Sequence, residues 1–336
     1  MKTAIFGFAG SGKTSLFTAL AGAAAAAGGR AMVKVPEPRL EPLCALYNPK
    51  KTTYSEIEYL DIPGGGGKGQ GLGERILNEI RPYDCLLAVL DAFSGLHDPA
   101  EQLSAVEADL LVSDLAVAEK RLERIGLDKR KTRDLVNPKE EEFLGKALAW
   151  LESEKPLRES PELAAAHELR GFRFLSAKPL LCAWNLAEDA VGSFALPAEK
   201  AGLAHVAVSA KLEAELSDIA DPAERAAFLA DLGLAGSALD RIIKRTYDLL
   251  GLITFLTAGD KEVRAWAVRG GSSAPEAAGV IHSDIQKGFI RAEVLGWEDF
   301  LTAKDFKRAK ELGLYRLEGK TYVIQDGDIV EFRFNV

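Results

Sequence analysis

Residues 7–14 read GFAGSGKT and fit the pattern G-x-x-x-x-G-K-[ST]. The apolar run KTAIF, at 2–6, predicts a short buried strand before this stretch, and SLFTALAG, at 15–22, predicts a helix after it. A glycine-rich loop in this setting lets backbone N–H groups converge on phosphate oxygens at a helix N-terminus, where the helix dipole favours negative charge. The sequence therefore predicts an α/β domain of the P-loop NTPase class.

Two side chains of this loop have predicted roles of their own. We expect Lys13 to reach the β- and γ-phosphates and the Thr14 hydroxyl to ligate Mg²⁺. A strand–helix turn with a chance lysine is the alternative, which the flanking strand and helix disfavour. The predicted phosphate-binding residues, one of them from the motif described next, are Gly10, Ser11, Gly12, Lys13, Thr14, Ser15 and Gly64.

A second motif ends the next predicted strand, where Asp61-Ile62-Pro63-Gly64 matches the D-x-x-G of GTPase-type switches. We expect Asp61 to hold Mg²⁺ through water and the Gly64 amide to meet the γ-phosphate. Further glycines at positions 65–67, 69, 71 and 73 predict a mobile switch loop. A plain flexible linker would explain these glycines, but it would not explain an aspartate at the strand end.

Two motifs after later predicted strands indicate the base-binding side of the site. Asn185-Leu186-Ala187-Glu188 lies where GTPases carry N-K-x-D, and Ser209-Ala210-Lys211 matches the S-A-K loop that follows it. The acidic residue of N-K-x-D accepts hydrogen bonds from guanine, so a longer glutamate, with a leucine in place of the lysine, predicts weakened guanine recognition. The predicted base-binding residues are Asn185, Leu186, Glu188, Ser209, Ala210 and Lys211.

Hydrophobic periodicity divides the chain into three parts. The N-terminal half alternates strands and helices as βαβ units do. Two amphipathic stripes, from Val106 to Ile125 and from Phe143 to Leu151, predict a helical hairpin inserted into that domain, with two ordinary covering helices as the alternative. Beyond the last helix of that domain, short strands with turn signals predict a small α+β domain. The predicted boundaries are 1–104 with 175–252 for the discontinuous P-loop domain, 105–174 for the insertion and 253–336 for the C-terminal domain.

Composition excludes several classes of protein. The chain has 336 residues, 47% of them hydrophobic and 27% charged, with a net charge of −8, which is ordinary for a soluble globular protein. An acidic chain is not a polycation that coats DNA or an anionic membrane. Three widely spaced cysteines do not make a disulfide scaffold, no secretory signal opens the chain, and no apolar run reaches the ~18–20 residues of a membrane span. We therefore expect a cytoplasmic protein with buried thiols and with neither a membrane nor a DNA partner.

The charge is unevenly distributed along the chain. Residues 120–133 carry seven basic and two acidic side chains, a net charge of +5. This run lies at the predicted tip of the hairpin, where it can contact nucleic-acid phosphates while the rest of the chain stays acidic. In the C-terminal domain, Arg264, Trp266, Lys287 and Arg291 offer charge and stacking for RNA, although Trp266 alone is more simply explained as a core residue.

Long strings of this sequence, rather than single motifs, resemble one family. They include DIPG, KGQGLGERILNEIRPYDCLLAVLDAF, AEKRLERI, NLAE, SAKLEAEL and, in the last 84 residues, APEAAGVIHSDIQKGFIRAEVLGWEDF. The chain resembles the YchF-type Obg-like ATPases almost from end to end. This resemblance implies a P-loop G domain with an inserted coiled-coil hairpin, and a C-terminal TGS domain of β-grasp, ubiquitin-like form. It also implies ATP preferred over GTP through N-x-x-E, and a ribosome or ribosomal RNA partner for residues 120–133 and the TGS domain.

The sequence departs from the family's pattern around the γ-phosphate. Gly10 stands where the family's P-loop carries an asparagine that helps to hold potassium in cation-stimulated relatives. The stretch 21–34 contains no threonine to supply the usual switch hydroxyl to Mg²⁺, and Gly65 stands where the family has an apolar residue. His97 matches the family's mobile-loop histidine only loosely, so an ordinary surface histidine is the alternative to a general base.

Two functions remain open on the sequence alone. The first is a slow or partner-activated ATPase that acts as a nucleotide-dependent switch. The second is a nucleotide-gated binding protein with negligible hydrolysis, and binding of GTP in place of ATP is a further alternative. Because loss of one transition-state stabiliser costs about 10²–10³ in rate, the departures favour binding without turnover. The retained P-loop, Asp61 and base motifs favour the ATPase.

Overall fold

A computed structural model describes residues 1–22, 28–65, 71–131, 137–219, 221–234 and 236–335. The chain forms two units, each of which contains two separate stretches of sequence. The first unit is Met1–Val33 with Ile57–Leu249, and the second is Lys34–Glu56 with Leu250–Val336.

The first unit is built on a six-stranded sheet. Strands β1 to β7 of the chain, of which β3 lies in the second unit, are Lys2–Phe6, Arg30–Lys34, Thr52–Thr53, Glu56–Asp61, Cys85–Ala92, Leu180–Leu186 and Leu203–Val208. The order across this sheet is β2-β4-β1-β5-β6-β7, and the neighbouring pairs from β4 to β7 are parallel. Every residue of β6 and all but the last of β5 are buried, as expected for strands covered on both faces. The α/β prediction is confirmed.

Helices of the first unit supply the other half of its core. Helices α1 to α9, of which α2 lies in the second unit, are Lys13–Ala21, Leu40–Tyr47, Glu74–Ile80, Pro99–Lys131, Pro138–Glu152, Pro161–Ala165, Ala210–Asp218, Pro222–Asp231 and Ala238–Leu249. Ile76 and Ile80 of α3 and Val106 and Leu110 of α4 pack in the main core with strand residues. The P-loop lies between β1 and α1, so the site is at the carboxyl end of the parallel strands, where open α/β sheets bind ligands.

The predicted insertion is a helical hairpin of α4 and α5. Ala118 and Ile125 of α4 share a core with Leu144 and Leu151 of α5. Helix α4 begins at Pro99, earlier than the predicted boundary at 105, because the Asp98 carboxylate caps it by accepting from the Ala100 amide over 2.8 Å. The link at 132–136, which includes Arg133 of the predicted basic run, lies outside the described residues.

The second unit contains a mixed sheet. Strands β8 to β12 are Leu252–Thr257, Val263–Arg269, Phe289–Leu295, Arg316–Glu318 and Ile329–Phe334, and helices α10 to α13 are Ala274–Ile281, Ser283–Lys287, Trp297–Ala303 and Phe306–Glu311. The strand order is β11-β10-β12-β8-β9-β3. β8 and β9 are antiparallel, β8 pairs with β12 in parallel, and α10 packs on the sheet through Ala277 and Ala278. A helix packed on a sheet with this pairing is consistent with the predicted α+β domain and with the β-grasp form that the resemblance implies.

Residues 34–56 pack with the C-terminal unit, although the sequence-based boundaries place them in the P-loop domain. Helix α2 buries Leu40 and Leu43 in the same core as Leu256 and Phe300. Strand β3 pairs with β9, and the Arg39 guanidinium binds both Glu37 and Asp326. The short elements of this segment have their apolar partners in the second unit. The structure therefore assigns residues 34–56 to that unit, whereas the sequence-based boundaries assign them to the P-loop domain.

Two of the three cysteines are buried, as the sequence predicts. Cys85 and Cys182 are fully buried, whereas Cys44 is half-buried. Burial raises the pKa of both buried thiols, that of Cys85 to about 12, so they stay protonated at neutral pH. Within the described ranges, no helix has both the length and the apolar character that a membrane span needs.

Candidate nucleotide-binding site

The P-loop is fixed at its C-terminal end by a side chain from another strand. Gly12, directly before α1, has a φ of +85°, which L side chains rarely adopt, and a Cβ there would collide with Asn185. The Asn185 side-chain amide donates to the carbonyl of Ser11 over 2.9 Å, and its Oδ1 accepts from the backbone of Ala210 over 2.9 Å. The buried Asn185 side chain therefore ties the P-loop to the S-A-K loop.

Lys13 directs its ammonium group to the D-x-x-G segment. The residue is buried, and a Cβ on Gly64 would collide with Lys13 Nζ. Next to this contact, Phe8 of the P-loop forms an isolated parallel bridge with Gly65. The two motifs that the sequence assigns to the γ-phosphate are therefore in direct contact.

Thr14 and Asp61 meet at the last residue of β4. The Thr14 hydroxyl donates to Asp61 Oδ2 over 2.9 Å, and Asp61 Oδ1 is buried with no hydrogen-bond partner in the described part of the chain. Buried polar atoms normally have partners, so this carboxylate oxygen has an unmet need for one. Mg²⁺ prefers oxygen ligands and is often held by one or two carboxylates with several waters. The donor set of Thr14 and Asp61 therefore fits Mg²⁺.

A cavity of about 660 Å³ lies beside the P-loop. Its volume falls in the range of about 300–1,000 Å³ that is usual for small-molecule sites. Gly12 of the P-loop and Ser15 of α1 form part of its wall. The six residues predicted to bind the base also line it: Asn185, Leu186, Glu188, Ser209, Ala210 and Lys211. The structure thus brings the base motifs and the phosphate loop together.

Glu188 and Lys211 form an ion pair in the wall of this cavity. Lys211 Nζ lies 2.5 Å from Glu188 Oε1 and 3.9 Å from Glu215 Oε1. The hydrogen bond to Glu188, together with the negative charge, raises the pKa of the Lys211 ammonium group. Leu186 is buried at the position of the usual N-K-x-D lysine. The pair places a cationic donor next to an anionic acceptor where a base would lie.

Phe93 is a cavity residue that sequence reasoning missed. Its ring lines the cavity and is 44% exposed. The turn that carries it is held by Asp91, whose carboxylate accepts from the Phe93 amide over 3.3 Å and from the Ser94 hydroxyl over 2.5 Å. The available signal was an aromatic residue directly after the buried strand CLLAVLDA.

His97 lies in the turn before α4, where its imidazole is exposed. No hydrogen bond or ion pair within the described ranges orients the ring. Residues 66–70 of the predicted switch loop, and residues 23–27 of the stretch without the switch threonine, lie outside those ranges.

The geometry of the site defines a class of protein. A P-loop joined to a D-x-x-G strand end, and an asparagine that links it to an S-A-K loop, are the construction of a GTPase-type P-loop domain. A family model described as a 50S ribosome-binding GTPase matches residues 2–120. Another, YchF-GTPase_C, described as a protein of unknown function, matches residues 252–335.

Similarity to curated proteins extends over the whole chain. The "Ribosome-binding ATPase YchF" of Bacillus subtilis is 39% identical, with 99% of this chain and 98% of that relative covered. The protein of the same name in Escherichia coli O157:H7 is 37% identical, with 100% of this chain and 99% of that relative covered. The structure of the Schizosaccharomyces pombe YchF GTPase matches with a TM-score of 0.85 at 28% identity, covering 99% of this chain and 97% of that one. The chain belongs to the YchF family.

Proposed function

We propose that this chain is a slow or partner-activated ATPase that acts as a nucleotide-dependent switch on the ribosome. The proposal is supported by the meeting of Lys13, Thr14 and Asp61 at the P-loop, beside a cavity lined by the base motifs. Relatives at 37–39% identity are named ribosome-binding ATPases. We also propose a cytoplasmic location, because that is where ribosomes work.

The proposed reaction transfers the γ-phosphoryl group of ATP to water and yields ADP and inorganic phosphate. P-loop amides and Lys13 hold the β- and γ-phosphates, and the Gly64 amide faces the γ-phosphate. Thr14 and, through water, Asp61 would hold Mg²⁺, which would neutralise charge on the phosphate oxygens. Phosphoryl transfer depends chiefly on positioning and charge stabilisation, so this residue set supplies its central part.

Adenine is the proposed base. Guanine recognition in N-K-x-D needs a free carboxylate that accepts two hydrogen bonds, whereas Glu188 is already paired with Lys211 over 2.5 Å. The pair offers an acceptor to an exocyclic amine and a donor to a ring nitrogen, and adenine N6 and N1 supply that combination. Phe93 adds an aromatic wall to the same cavity.

The second candidate function is nucleotide-gated binding without useful hydrolysis. Residues 21–34 contain no threonine or serine, so this stretch lacks the hydroxyl that GTPase-type domains use on Mg²⁺. Each missing transition-state stabiliser costs about 10²–10³ in rate. Binding and turnover must therefore be measured separately.

Phosphate release at saturating ATP tests the enzyme, with Lys13→Ala as the inactive reference and Lys200→Ala, an exposed lysine, as the matched control. We expect wild type and Lys200→Ala to release phosphate at the same slow rate, and Lys13→Ala to lose both release and tight ATP binding. Wild-type release no faster than that of Lys13→Ala, with ATP still bound by the wild type, would establish the binding-only function instead.

The proposed ribosome contact is the outer half of the hairpin, residues 120–133. Two of its cations are paired with α5: Arg121 lies 2.6 Å from Glu140 and Lys129 lies 2.5 Å from Glu141. Lys120, Arg124 and Arg130 are exposed, and no ion pair within the described ranges engages them. These three side chains are therefore the ones available to RNA phosphates.

Co-sedimentation with ribosomes tests this contact. Reversal of the three charges by Lys120→Glu, Arg124→Glu and Arg130→Glu should weaken pelleting by at least about tenfold at low salt and reduce its salt dependence. The matched control reverses three exposed cations elsewhere, Lys155, Arg170 and Lys244. Equal weakening in both variants would point to net charge alone and remove the hairpin from the proposal.

The β-grasp unit is proposed as a second contact with the ribosome. Arg264 lies 3.7 Å from the centre of the Trp266 ring, and that ring stacks on Phe255 at 6.3 Å. Trp266 is thus engaged within the unit, and the guanidinium of Arg264 is the group that extends this stack. Arg264→Ala should weaken ribosome binding, whereas substitution of the distant Lys320 by alanine should not.

A further inference from the structure

The hairpin helix contacts the segment that faces the γ-phosphate. Gly65 precedes and Leu72 follows the stretch at 66–70. A Cβ on Gly65 would lie 3.2 Å from the Leu72 carbonyl oxygen and 2.9 Å from Ile76 Cδ1, so these two ends are packed against each other. Gly65 also forms a bridge with Phe8 of the P-loop. Gly65 therefore links Leu72 to the P-loop.

Leu72 is bonded in turn to α4. Its backbone amide donates to Asp109 Oδ2 over 2.6 Å, and its side chain is buried with Val106 and Leu110 of the same helix. A Cβ on Gly71 would lie 2.7 Å from both carboxylate oxygens of Asp109. The close approach of this carboxylate to the chain therefore depends on the glycine at position 71.

Helix α4 is also fastened at two other points, to strand β5 and to the loop that precedes β6. The Gln102 side chain accepts from the Asp91 amide over 3.1 Å and donates to the Asp91 carbonyl over 3.0 Å. The buried Asp114 carboxylate accepts from the amides of Leu175 and Ser176 over 2.9 and 2.7 Å. The same uninterrupted helix continues to Lys131 in the basic run, so Asp109 and the basic run belong to one continuous element.

We propose that Asp109 is a positioning residue that couples the γ-phosphate site to the hairpin. It fixes the end of the segment after D-x-x-G on α4, so that occupancy of the γ-phosphate site and binding of the hairpin to the ribosome favour the same arrangement. This inference rests on the proposed function, because it needs both a nucleotide and a ribosome. Linkage requires the effect to be reciprocal: ribosomes tighten ATP binding by the factor by which ATP tightens ribosome binding.

The test measures one ratio on the full chain. Dissociation constants for a non-hydrolysable ATP analogue and for ADP are determined with and without saturating ribosomes. Couplings of this kind change affinity by about 5–150-fold. We expect wild type to bind the analogue at least about fivefold more tightly with ribosomes, and Asp109→Ala to lose this gain with no change in ADP affinity.

Two further variants separate positioning from a structural role. Asp109→Asn keeps a carbonyl oxygen that can accept from Leu72, so it should retain part of the gain. Gly71→Ala pushes a methyl group against the intact carboxylate, so it should lose the gain as Asp109→Ala does. Glu101→Gln, an exposed neutralisation on the same helix, serves as the control and should behave as wild type.

The test distinguishes a failure of the proposed switch function from a failure of the coupling through Asp109. If the wild type shows no ribosome effect on either nucleotide, the proposed switch function is wrong and the coupling is wrong with it. If the wild type shows the gain and both Asp109→Ala and Gly71→Ala keep it, only the inference about Asp109 is overturned. The inference would also be overturned if Asp109→Ala and Asp109→Asn lowered ADP affinity and melting temperature to the same extent. That result is expected of a residue that only supports the fold.

Discussion

At the scale of single residues, the proposed selection of adenine depends on the Glu188–Lys211 pair. Neither side chain is deeply buried, so the pair contributes little to stability. Its value lies in presenting an acceptor and a donor together, which a lone aspartate in N-K-x-D does not do. Asn185 differs, because its amide binds Ser11 and Ala210 and so positions two loops.

Shortening the acid tests this account. In Glu188→Asp the carboxylate withdraws by one methylene from Lys211, which breaks the 2.5 Å contact and restores the acid of N-K-x-D. We expect the ratio of GTP to ATP affinity to rise by about tenfold, since a buried or partly buried hydrogen-bond mismatch costs about 1–3 kcal/mol. Calorimetric titration with both nucleotides measures the ratio.

The matched control is Glu215→Asp, an equal shortening in the same cavity wall, 3.9 Å from Lys211. It should leave the ratio unchanged. A Glu188→Asp ratio equal to that of the control would show that the acid does not select the base.

At the scale of elements, α4 depends on a carboxylate with no exposure to solvent. Asp114 accepts from two backbone amides and lies 3.2 Å from Arg81 Nη1. Burial raises the pKa of Asp114 from its ordinary value, and the hydrogen bonds and Arg81 oppose that rise only in part. The stability that comes from its protonation is complete below the ordinary pKa and is lost as pH rises through the raised folded-state value.

Asp114→Asn therefore has a pH-dependent cost. The asparagine side chain keeps one oxygen that can accept from a backbone amide. Its NH₂ group is a donor and faces the second backbone amide, which is also a donor, so the variant should be less stable at every pH. Wild type gains stability on acidification and the variant has nothing to titrate, so the loss should grow as pH falls from neutral towards the ordinary pKa of an aspartate. Urea unfolding of both proteins across this range measures the difference.

Glu119→Gln, exposed on the same helix, is the control and should show neither the loss nor the trend. A deficit that shrinks on acidification would contradict the raised pKa. If Asp114→Asn were as stable as the wild type, α4 would be held by its apolar face alone.

The elements also show what sequence could predict. The sheet and the hairpin were predictable because β5, β6, α4 and α5 have long apolar periods, and the site was predictable because its motifs lie at strand ends. Phe93 offered only its place directly after a buried strand, and Asp109 carries no local pattern, since its contact with Leu72 joins residues distant in the chain. The helix and strand at 34–56 were missed because α2 and β3 are short and find their apolar partners more than 200 residues away.

At the scale of the whole molecule, the chain leaves the first unit between the P-loop and Asp61 and returns to it. Residues 34–56 contribute helix α2, strand β3 and Arg39 to the second unit. The stretch after the P-loop is therefore connected, by the covalent chain, to an element of the β-grasp unit. A C-terminal domain defined as residues 253–336 would lack this element.

The same topology predicts how a fragment behaves. Residues 250–336 alone lack Leu40 and Leu43, whose individual truncation in a core costs about 2–5 kcal/mol, a large share of the stability of a small domain. We expect this fragment to show poor NMR dispersion, and a peptide of residues 34–56 to restore a folded spectrum on addition. The control peptide carries Leu40→Asp and Leu43→Asp and should have no effect. A fragment that is fully folded without any peptide would mean that the segment is an accessory to this unit rather than part of its core.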